Sequence, residues 1–577
     1  MILVFGGTTE GRKAVEVLEE AGNAYYYSTK TGEQDVTLQH GVRVDGAMDA
    51  EAMLAFCREH DIRLMVDAAH PFASQLHQTI ACVAETLTTP VVRYERIYPP
   101  RDPSLTWIDD YRQIPTNIHS LLATTGVQSI SKLKWLEAQG VKVIYRILNR
   151  DSSIQLAHQQ GVTDEQLCFY PQMVEADAML MKESGESGGF SEKIAEAKEK
   201  GMRIIVLKRP ELSFKHVVDG PYGLRRAIEK LLPEFYPLHS GLTTGTCATA
   251  AAIAATTRLL KGETPQEVPV ILPNGETIMV PVGFADEYAF CIKEAGDDPD
   301  VTDGIEIRAE VKKADQFEIV GGEGVGRFTL PGFDYPPGEP AINKAPREMI
   351  FQNLEKLSTV NCQLSITISV PQGEAIAHRT FNPRLGIEGG ISIIGVSGIV
   401  KPFSEEAFIE SIRKCMEVAK ASGSERIVLH SGMKSEGFLC QYYPHLPQQA
   451  FVEYGNAIGA ALQIADELHI PRITLGIMLG KAVKLAEGHL DTHSKKQTMN
   501  KAFIVQMLEE SGCSTEVITQ AEGITLAREL WNILPPDQTE NFCRTVIRHC
   551  QNHCQPLLSH GELTILLIDD VGRVHSR

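Results

Sequence analysis

Ile2-Leu3-Val4-Phe5-Gly6-Gly7-Thr8-Thr9-Glu10-Gly11-Arg12-Lys13-Ala14-Val15 is the stretch from which the rest of the chain can be read. Four apolar residues read as a strand buried on both faces. A loop of glycine and threonine follows. Next comes a helix with Ala14, Val15, Leu18 and Ala21 on its apolar face and Gly22 as its C-cap. A strand that feeds a helix through a glycine turn is half of a βαβ unit, and the pattern recurs. Residues 24–27, 64–68, 91–94, 141–145 and 203–207 read as further strands with helical stretches between them. Such alternation implies parallel sheets flanked by helices, which bind ligands at the carboxyl ends of their strands. The expected fold of residues 1–237 is α/β, two Rossmann-like lobes with parallel sheets.

The texture changes at Leu232-Pro233-Glu234-Phe235-Tyr236-Pro237, which places a domain boundary between 1–237 and 238–577. An alanine-rich helix is expected at 247–260 and strands at 268–272, 277–282 and 364–370, with glycine-rich loops between. Beyond residue 404 the βα alternation returns: a helix at 404–421, a strand at 426–429, a helix near 450–467 and a strand at 472–475. This second part reads as mixed α+β and α/β in two lobes. At 577 residues the chain is too long for one core. Its formal charge of −19, from 74 acidic and 55 basic residues, excludes a general binder of nucleic acid or anionic membrane. It leaves room for a local basic pocket. Twelve cysteines without C-x-x-C spacing read as reduced thiols. Cys543, Cys550 and Cys554 share one helix face and are expected to pack as an apolar stripe rather than hold zinc. Met1 leads straight into the first strand, and no apolar run approaches the roughly 18 residues of a membrane span. A cytoplasmic protein is expected.

The first loop has the chemistry of a phosphate cradle, since backbone N–H groups at a helix N-terminus point at it. Gly6, Gly7, Thr8, Thr9 and Glu10 are its candidate cofactor contacts; the alternative is a tight turn with no ligand. It is not G-x-G-x-x-G, and Arg12-Lys13-Ala14 replaces the Lys-Ser/Thr of a P-loop, removing the hydroxyl that holds Mg²⁺. Three more clusters follow in order. Asp67-Ala68-Ala69-His70-Pro71-Phe72-Ala73 puts His70 at a strand's carboxyl end. Thr124-Thr125-Gly126 and Lys182-Glu183-Ser184-Gly185-Glu186-Ser187-Gly188-Gly189 each sit before a helix. Together with the opening loop they resemble the precorrin-6A reductases over residues 1–232. The Lys182 loop departs from that family's more common Lys-Asp-Ser-Gly-Gly. The resemblance implies hydride transfer from NADH or NADPH to a corrin macrocycle. Cofactor phosphates are then expected on residues 6–10, on Thr125 and Gly126, or on Lys182, Ser184 and Gly185, with His70 and Arg93 facing the substrate. No acidic residue ends the 25–27 strand to take an NAD ribose, and NADH or NADPH stays open; Lys30 either meets a 2′-phosphate or, preferably, is plainly solvated.

The second part opens Ser240-Gly241-Leu242-Thr243-Thr244-Gly245-Thr246-Cys247. Thr243, Thr244, Gly245 and Thr246 read as an anion or cofactor cradle with Thr246 as N-cap, and Cys247 as a buried thiol rather than a nucleophile. The acidic run Asp297-Asp298-Pro299-Asp300 lacks the closing glutamate of an EF-hand. Gly321-Gly322-Glu323-Gly324 would let backbone approach a ligand closely, at Gly322 and Gly324. Gly488-His489-Leu490-Asp491-Thr492-His493 offers H-x-D-x-H. In an extended strand these side chains share one face, as a metal set or, preferably, as a substrate-contacting or structural polar cluster. TTGTCATAA, AGDDPDVTDG, GGEGVGR, GEPAIN, FNPRLGIEGGISIIG and GHLDTHS together resemble the cobalt-precorrin-5B C1-methyltransferase family across the whole second part.

That resemblance implies S-adenosyl-L-methionine as methyl donor and a cobalt macrocycle as acceptor, with the metal held by the macrocycle. A polycarboxylate substrate calls for Arg, Lys and His. Arg327, Lys344, Arg347, His378, Arg379, Arg384 and Lys401 lie in or beside the motifs and are the candidate carboxylate partners, with His489 and His493; each would otherwise be plain surface charge. The two halves then catalyse consecutive steps. The competing readings are a dehydrogenase of a small metabolite with a regulatory C-terminal module, and a non-catalytic tetrapyrrole-binding protein.

Overall fold

A computed structural model describes residues 1–577 except Thr31, Glu33, Met173, 358–362, Lys495 and Arg577. The chain forms two compact units. One comprises Met1–Ser240 with Pro269–Met279, and the other Gly241–Val268 with Val280–Arg577.

The first unit contains two six-stranded, wholly parallel sheets. In the first, β1 (Ile2–Phe5), β2 (Tyr25–Thr29), β3 (Gly41–Asp45), β4 (Leu64–Asp67) and β5 (Val91–Tyr94) are joined by β12 (His216–Val218) in the order β12-β5-β4-β1-β2-β3. The second comprises β6 (Thr106–Ile108), β7 (Ser120–Ala123), β8 (Lys142–Ile147), β9 (Leu167–Phe169), β10 (Ala178–Lys182) and β11 (Arg203–Leu207), ordered β6-β11-β10-β7-β8-β9. β1 and β4 are buried at every residue, as strands covered by helices on both faces must be. The helix Thr9–Glu19 begins where Thr8 Oγ1 accepts from Gly11 N at 3.0 Å; it ends before Gly22, which takes φ +68° beyond it. A turn supplied by later sequence completes this unit: Gly223 N donates to Glu276 Oε2 at 2.9 Å, and Thr277 N to Asp219 Oδ1 at 2.7 Å. A single cut between 237 and 238 therefore does not separate the two bodies.

In the second unit the helix Thr244–Lys261 is buried from Thr244 through Thr257 and packs on a five-stranded sheet. That sheet runs Gly283–Phe284, Ala289–Ile292, Glu306–Lys313, Leu364–Ser369, Glu318–Gly321, antiparallel except for the last pair. The chain then builds a second sheet from β13 (Arg426–His430), β14 (Phe451–Glu453), β15 (Arg472–Met478) and β16 (Glu562–Ile568). Their order is β14-β13-β15-β16, all parallel, with Val574–His575 antiparallel at the edge. The helix expected near 450–467 is shorter, Ile458–Glu467. Phe451 and Val452 instead bury themselves by pairing with β13. Cys543, Cys550 and Cys554 lie on the helix Pro536–Cys554, fully buried in this lobe's core, as the stripe reading expected. No helix among the described residues is long and apolar enough to cross a membrane.

Candidate active site

In the first unit the chemistry-bearing loops all leave the carboxyl ends of parallel strands. Residues 6–8 follow β1, 68–73 follow β4, Arg96 lies beyond β5, 124–126 follow β7, 183–189 follow β10 and 208–211 follow β11. The two sheets' loops meet. Arg96 Nε donates to Glu10 Oε2 at 2.9 Å, Arg96 Nη1 to the Ser184 carbonyl at 2.7 Å, and Ser187 Oγ to Glu10. Beside this junction lies a cleft of about 550 Å³ lined by Phe72, Arg101, Lys132, Lys182, Lys208 and Arg209 among others. Five cations there face three carboxylates, Asp109, Asp110 and Glu211, so the cleft is locally basic on an acidic chain.

Lys182 ends β10 with its Nζ 5.1 Å from the centre of the Phe72 ring. Burial, then Lys132 and Lys193, bring its ammonium down to a pKa of about 8. His70 accepts at Nδ1 from Phe72 N at 3.2 Å, which leaves Nε2 to carry the proton. Burial, with Arg96 and Lys182 nearby, holds its pKa down at about 3, so the ring is a neutral donor at physiological pH.

Several expected contacts are differently employed. Arg93 does not face a ligand. It is 1% exposed and donates to Asp67 Oδ1 (3.0 Å), to the Asp67 and Ala69 carbonyls (3.1 and 2.9 Å) and to Glu95. Asp67 also holds His77, whose Nδ1 lies 2.6 Å from Asp67 Oδ2 and whose Nε2 lies 3.0 Å from the His70 carbonyl. Arg93 thus secures the strand end from which His70 projects. Glu10 is buried and committed to Arg96 and Ser187; a carboxylate there would repel a phosphate. Thr8 donates to the Ala68 carbonyl, and Gly7 N is taken by Tyr27 and Gln34. Gly6 lies under the Tyr27 ring, and Thr9 opens the helix half-exposed. Thr125 bonds Ser129, and Gly126 turns the chain at φ +83°. Ser184 Oγ donates to the Gly188 carbonyl, and Gly185 packs against Arg96. Lys30 stands exposed just past the end of β2. Arg101, Lys132, Lys208 and Arg209 were missed by sequence reading. The signal was present for two of them: Lys208-Arg209 directly follows β11.

In the second unit the N-cap is Thr243, not Thr246, because Thr243 Oγ1 accepts from Thr246 N. Thr244 and Gly245 pair with the Ile394 backbone, and Thr246 Oγ1 donates to the Gly398 carbonyl, so this turn's polar groups are internally matched. Gly322 and Gly324 bring chain against chain: a Cβ on Gly324, at φ +68°, would lie 1.8 Å from the Val370 carbonyl oxygen. Arg347 is spent on the Ile342 and Pro340 carbonyls and Glu339, and lies over the Tyr335 ring. Arg327, exposed, donates to the Gly338 carbonyl, and His378 and Arg379 are exposed beyond the helix Gly373–Ala377. The 488–493 segment is a loop, not a strand, so His489, Asp491 and His493 do not share a strand face. Asp491 pairs with Lys496, and His489 Nε2 lies 3.5 Å from Glu487. Arg384 is placed differently from the other cations: Nη2 donates to Glu436 Oε2 at 2.9 Å, beside His430 and Glu453 at the carboxyl ends of β13 and β14.

Parallel doubly wound sheets with their loops gathered at the strands' carboxyl ends, beside a locally basic cleft, make this an α/β protein of the architecture that places ligand sites there. Residues 1–223 match the family described as Precorrin-6x reductase CbiJ/CobK; 233–402 match CbiD and 491–577 the CbiD C-terminal domain. The chain is 41% identical over 345 residues to the cobalt-precorrin-5B C(1)-methyltransferase of Prosthecochloris aestuarii, spanning 57% of this chain and 94% of that protein. For the Thermus thermophilus protein of the same description the figures are 38% over 335 residues, 57% and 91%. A solved CobK precorrin-6A reductase covers 40% of this chain and 96% of its own at 15% identity, with a TM-score of 0.32. The chain belongs to the cobalt-precorrin-5B C(1)-methyltransferase family, and it carries a CbiJ/CobK domain ahead of that part.

Proposed function

We propose that the chain is a bifunctional enzyme of cobalamin synthesis that methylates C1 of cobalt-precorrin-5B and then reduces the product, cobalt-precorrin-6A. Its carrying observation is the joining in one chain of a CbiD part and a CbiJ/CobK part, families whose reactions are consecutive. S-adenosyl-L-methionine supplies the methyl group, and a reduced nicotinamide the hydride. Lys30, just past β2 where an acidic residue would mark NAD, favours NADPH. The substrate is a polycarboxylate, and the basic cleft of the first unit answers that charge. There Lys182, Lys132, Arg101 and Arg209 orient carboxylates; the neutral His70, on the loop after β4 and not part of the cleft's lining, offers Nε2 as a donor without adding charge. Neither step needs a nucleophilic side chain; alignment and exclusion of water carry the rate. Free thiols among the described residues, the exposed Cys82 and Cys440 included, support a reducing, cytoplasmic setting.

The test supplies purified protein with cobalt-precorrin-5B, S-adenosyl-L-methionine and NADPH and follows product mass. A methylene's mass should be added first and two hydrogens second. Reduction without methylation would refute the order, and no mass change with folded protein would refute the activity.

A further inference from the structure

Two stretches of chain cross between the sheets of the first unit: residues 95–105, from β5 to β6, and 208–215, from β11 to β12. The basic cleft draws its lining from both sheets. Phe72 and Ser74 come from the segment after β4, while Lys132, Lys182 and Lys208 belong to β10 or to segments after β7 and β11. The cleft's width is therefore set by how the loops of one sheet stand against those of the other.

Arg96, at the start of the first crossing, braces those loops. It is 7% exposed and takes no part in the cleft's lining. Its Nε donates at 2.9 Å to Glu10 Oε2, in the first turn of the helix after β1. Its Nη1 donates at 2.7 Å to the Ser184 carbonyl, in the loop after β10. Ser187 Oγ of the same loop donates to the other oxygen of Glu10, and Glu186 N to the Ile97 carbonyl at 3.0 Å. The loop's glycines are fitted to the arginine. A Cβ on Gly185, at φ +70°, would lie 2.8 Å from Arg96 Cβ, and one on Gly188 would lie 2.7 Å from Nη1. Burial alone would raise the Glu10 carboxyl; Arg96 and Ser187 outweigh it and hold the acid below its ordinary value, so the pair is ionic at neutral pH. A buried ion pair is often no more stabilising than an apolar contact of the same volume, but its hydrogen bonds demand one geometry.

We infer that Arg96 is a positioning residue for the hydride transfer: touching neither ligand, it holds the loops of the two sheets at the separation the reaction needs. The inference rests on the reductase reading of the first unit. In that reaction a C–H bond of the reduced nicotinamide breaks, its electron pair forms a C–H bond on the macrocycle, and solvent supplies the accompanying proton. The reacting carbons must approach closely, and a misplacement of about 1 Å costs on the order of 100-fold in rate. The side chains that line the cleft remain when Arg96 is changed, so rate and binding should part company. Lysine at this position keeps the charge but lacks the planar fork that reaches Glu10 and Ser184 together.

The test follows NADPH oxidation by the full-length protein with cobalt-precorrin-6A, for wild type, Arg96→Lys and Ser187→Ala, with NADPH and with NADPH deuterated at the transferred position. Arg96→Lys should lose on the order of 10- to 100-fold in kcat while KM for both ligands stays near wild type. Its deuterium isotope effect on kcat should reach the full intrinsic value, because hydride transfer is then the slow step. A protein that is merely destabilised has fewer active molecules, each with the wild-type isotope effect and KM. Ser187→Ala removes one exposed arm of the brace and should show the same signature in smaller measure. It carries the test if Arg96→Lys does not fold. Unchanged kcat in the folded variants, or a loss borne by KM alone, overturns the role of Arg96 and leaves the reductase reading standing. Wild type that oxidises no NADPH with cobalt-precorrin-6A overturns that reading, and the inference with it.

Discussion

Replacing Arg93 by methionine separates a structural arginine from a substrate-binding one. The side chain is 1% exposed and makes five hydrogen bonds, with Asp67, Ala69 and Glu95 as acceptors. Methionine fills much of the volume but leaves Asp67, itself 0% exposed, with only His77 to balance it. Breaking one side of a buried pair costs about 3–5 kcal/mol, because the remaining charge is uncompensated. At about 2–4 °C per kcal/mol for a body of this size, the first unit should melt roughly 6–20 °C earlier. Hydrogen exchange read on peptides covering β4 and β5 should show the loss there and not in β13–β16. Where the variant is still folded, KM for the macrocycle should stay near wild type, since Arg93 never reaches the cleft. A stability within about 0.5 kcal/mol of wild type, together with a tenfold higher KM, would refute this and return Arg93 to the substrate.

His70 should show no titration in the physiological range. With a folded pKa near 3 against 6.5 when exposed, the unfolded chain takes up its proton first as pH falls, so the first unit loses stability progressively below about 6.5. His70→Gln should flatten that part of the profile, and an imidazole NMR signal titrating near 6.5 would contradict it. Lys182 is an ammonium below about 8, so macrocycle affinity should fall as pH rises through that value. Lys182→Met should bind about tenfold more weakly at pH 7 and lose the pH dependence, as read by tetrapyrrole absorbance. A fragment ending at residue 240 lacks Glu276 and Thr277, the partners of Gly223 N and Asp219. It should denature at lower urea than the same unit in the full chain, and equal midpoints would show the 269–279 turn to be dispensable. Iodoacetamide should label Cys82 and Cys440, both exposed, well before Cys543, Cys550 and Cys554, whose thiols burial keeps protonated, as peptide mass mapping would report.

The parallel sheets were legible because strands buried on both faces must be apolar throughout, and because β-to-α turns carry glycine and threonine. The positions of His70, just past β4, and Lys182, at the end of β10, were legible for the same reason. Arg93 was misread because its partner is invisible along the chain. Asp67 and Arg93 are directly opposite in the β4–β5 register, 26 residues apart, and only pairing reveals it. Gly322 and Gly324 show a different limit. A glycine that admits a ligand and one that admits another backbone look alike in sequence, and here Val370 occupies the space. The turn at 269–279 lies beyond any periodicity argument, since its partners at Asp219 and Gly223 precede it by more than 50 residues.

The acidic balance of the chain and the basic cleft are reconciled at Glu183, the residue that departs from the reductase pattern. It is 2% exposed and accepts from Arg101 Nε and Nη2, and from Arg209 N and Nη1, all within 3.0 Å. Two guanidiniums share one carboxylate, so the cluster keeps a net positive charge while both cations are fixed in place. Held this way they lose little further side-chain entropy when a carboxylate ligand arrives, which is the part of the cost that flexible surface lysines meet in full. A buried acid therefore strengthens the recognition of an acidic ligand: it positions cations without cancelling them. Net charge averaged over 577 residues cannot report that, because the sign that matters is set within a few ångströms of the ligand, where the field is least screened.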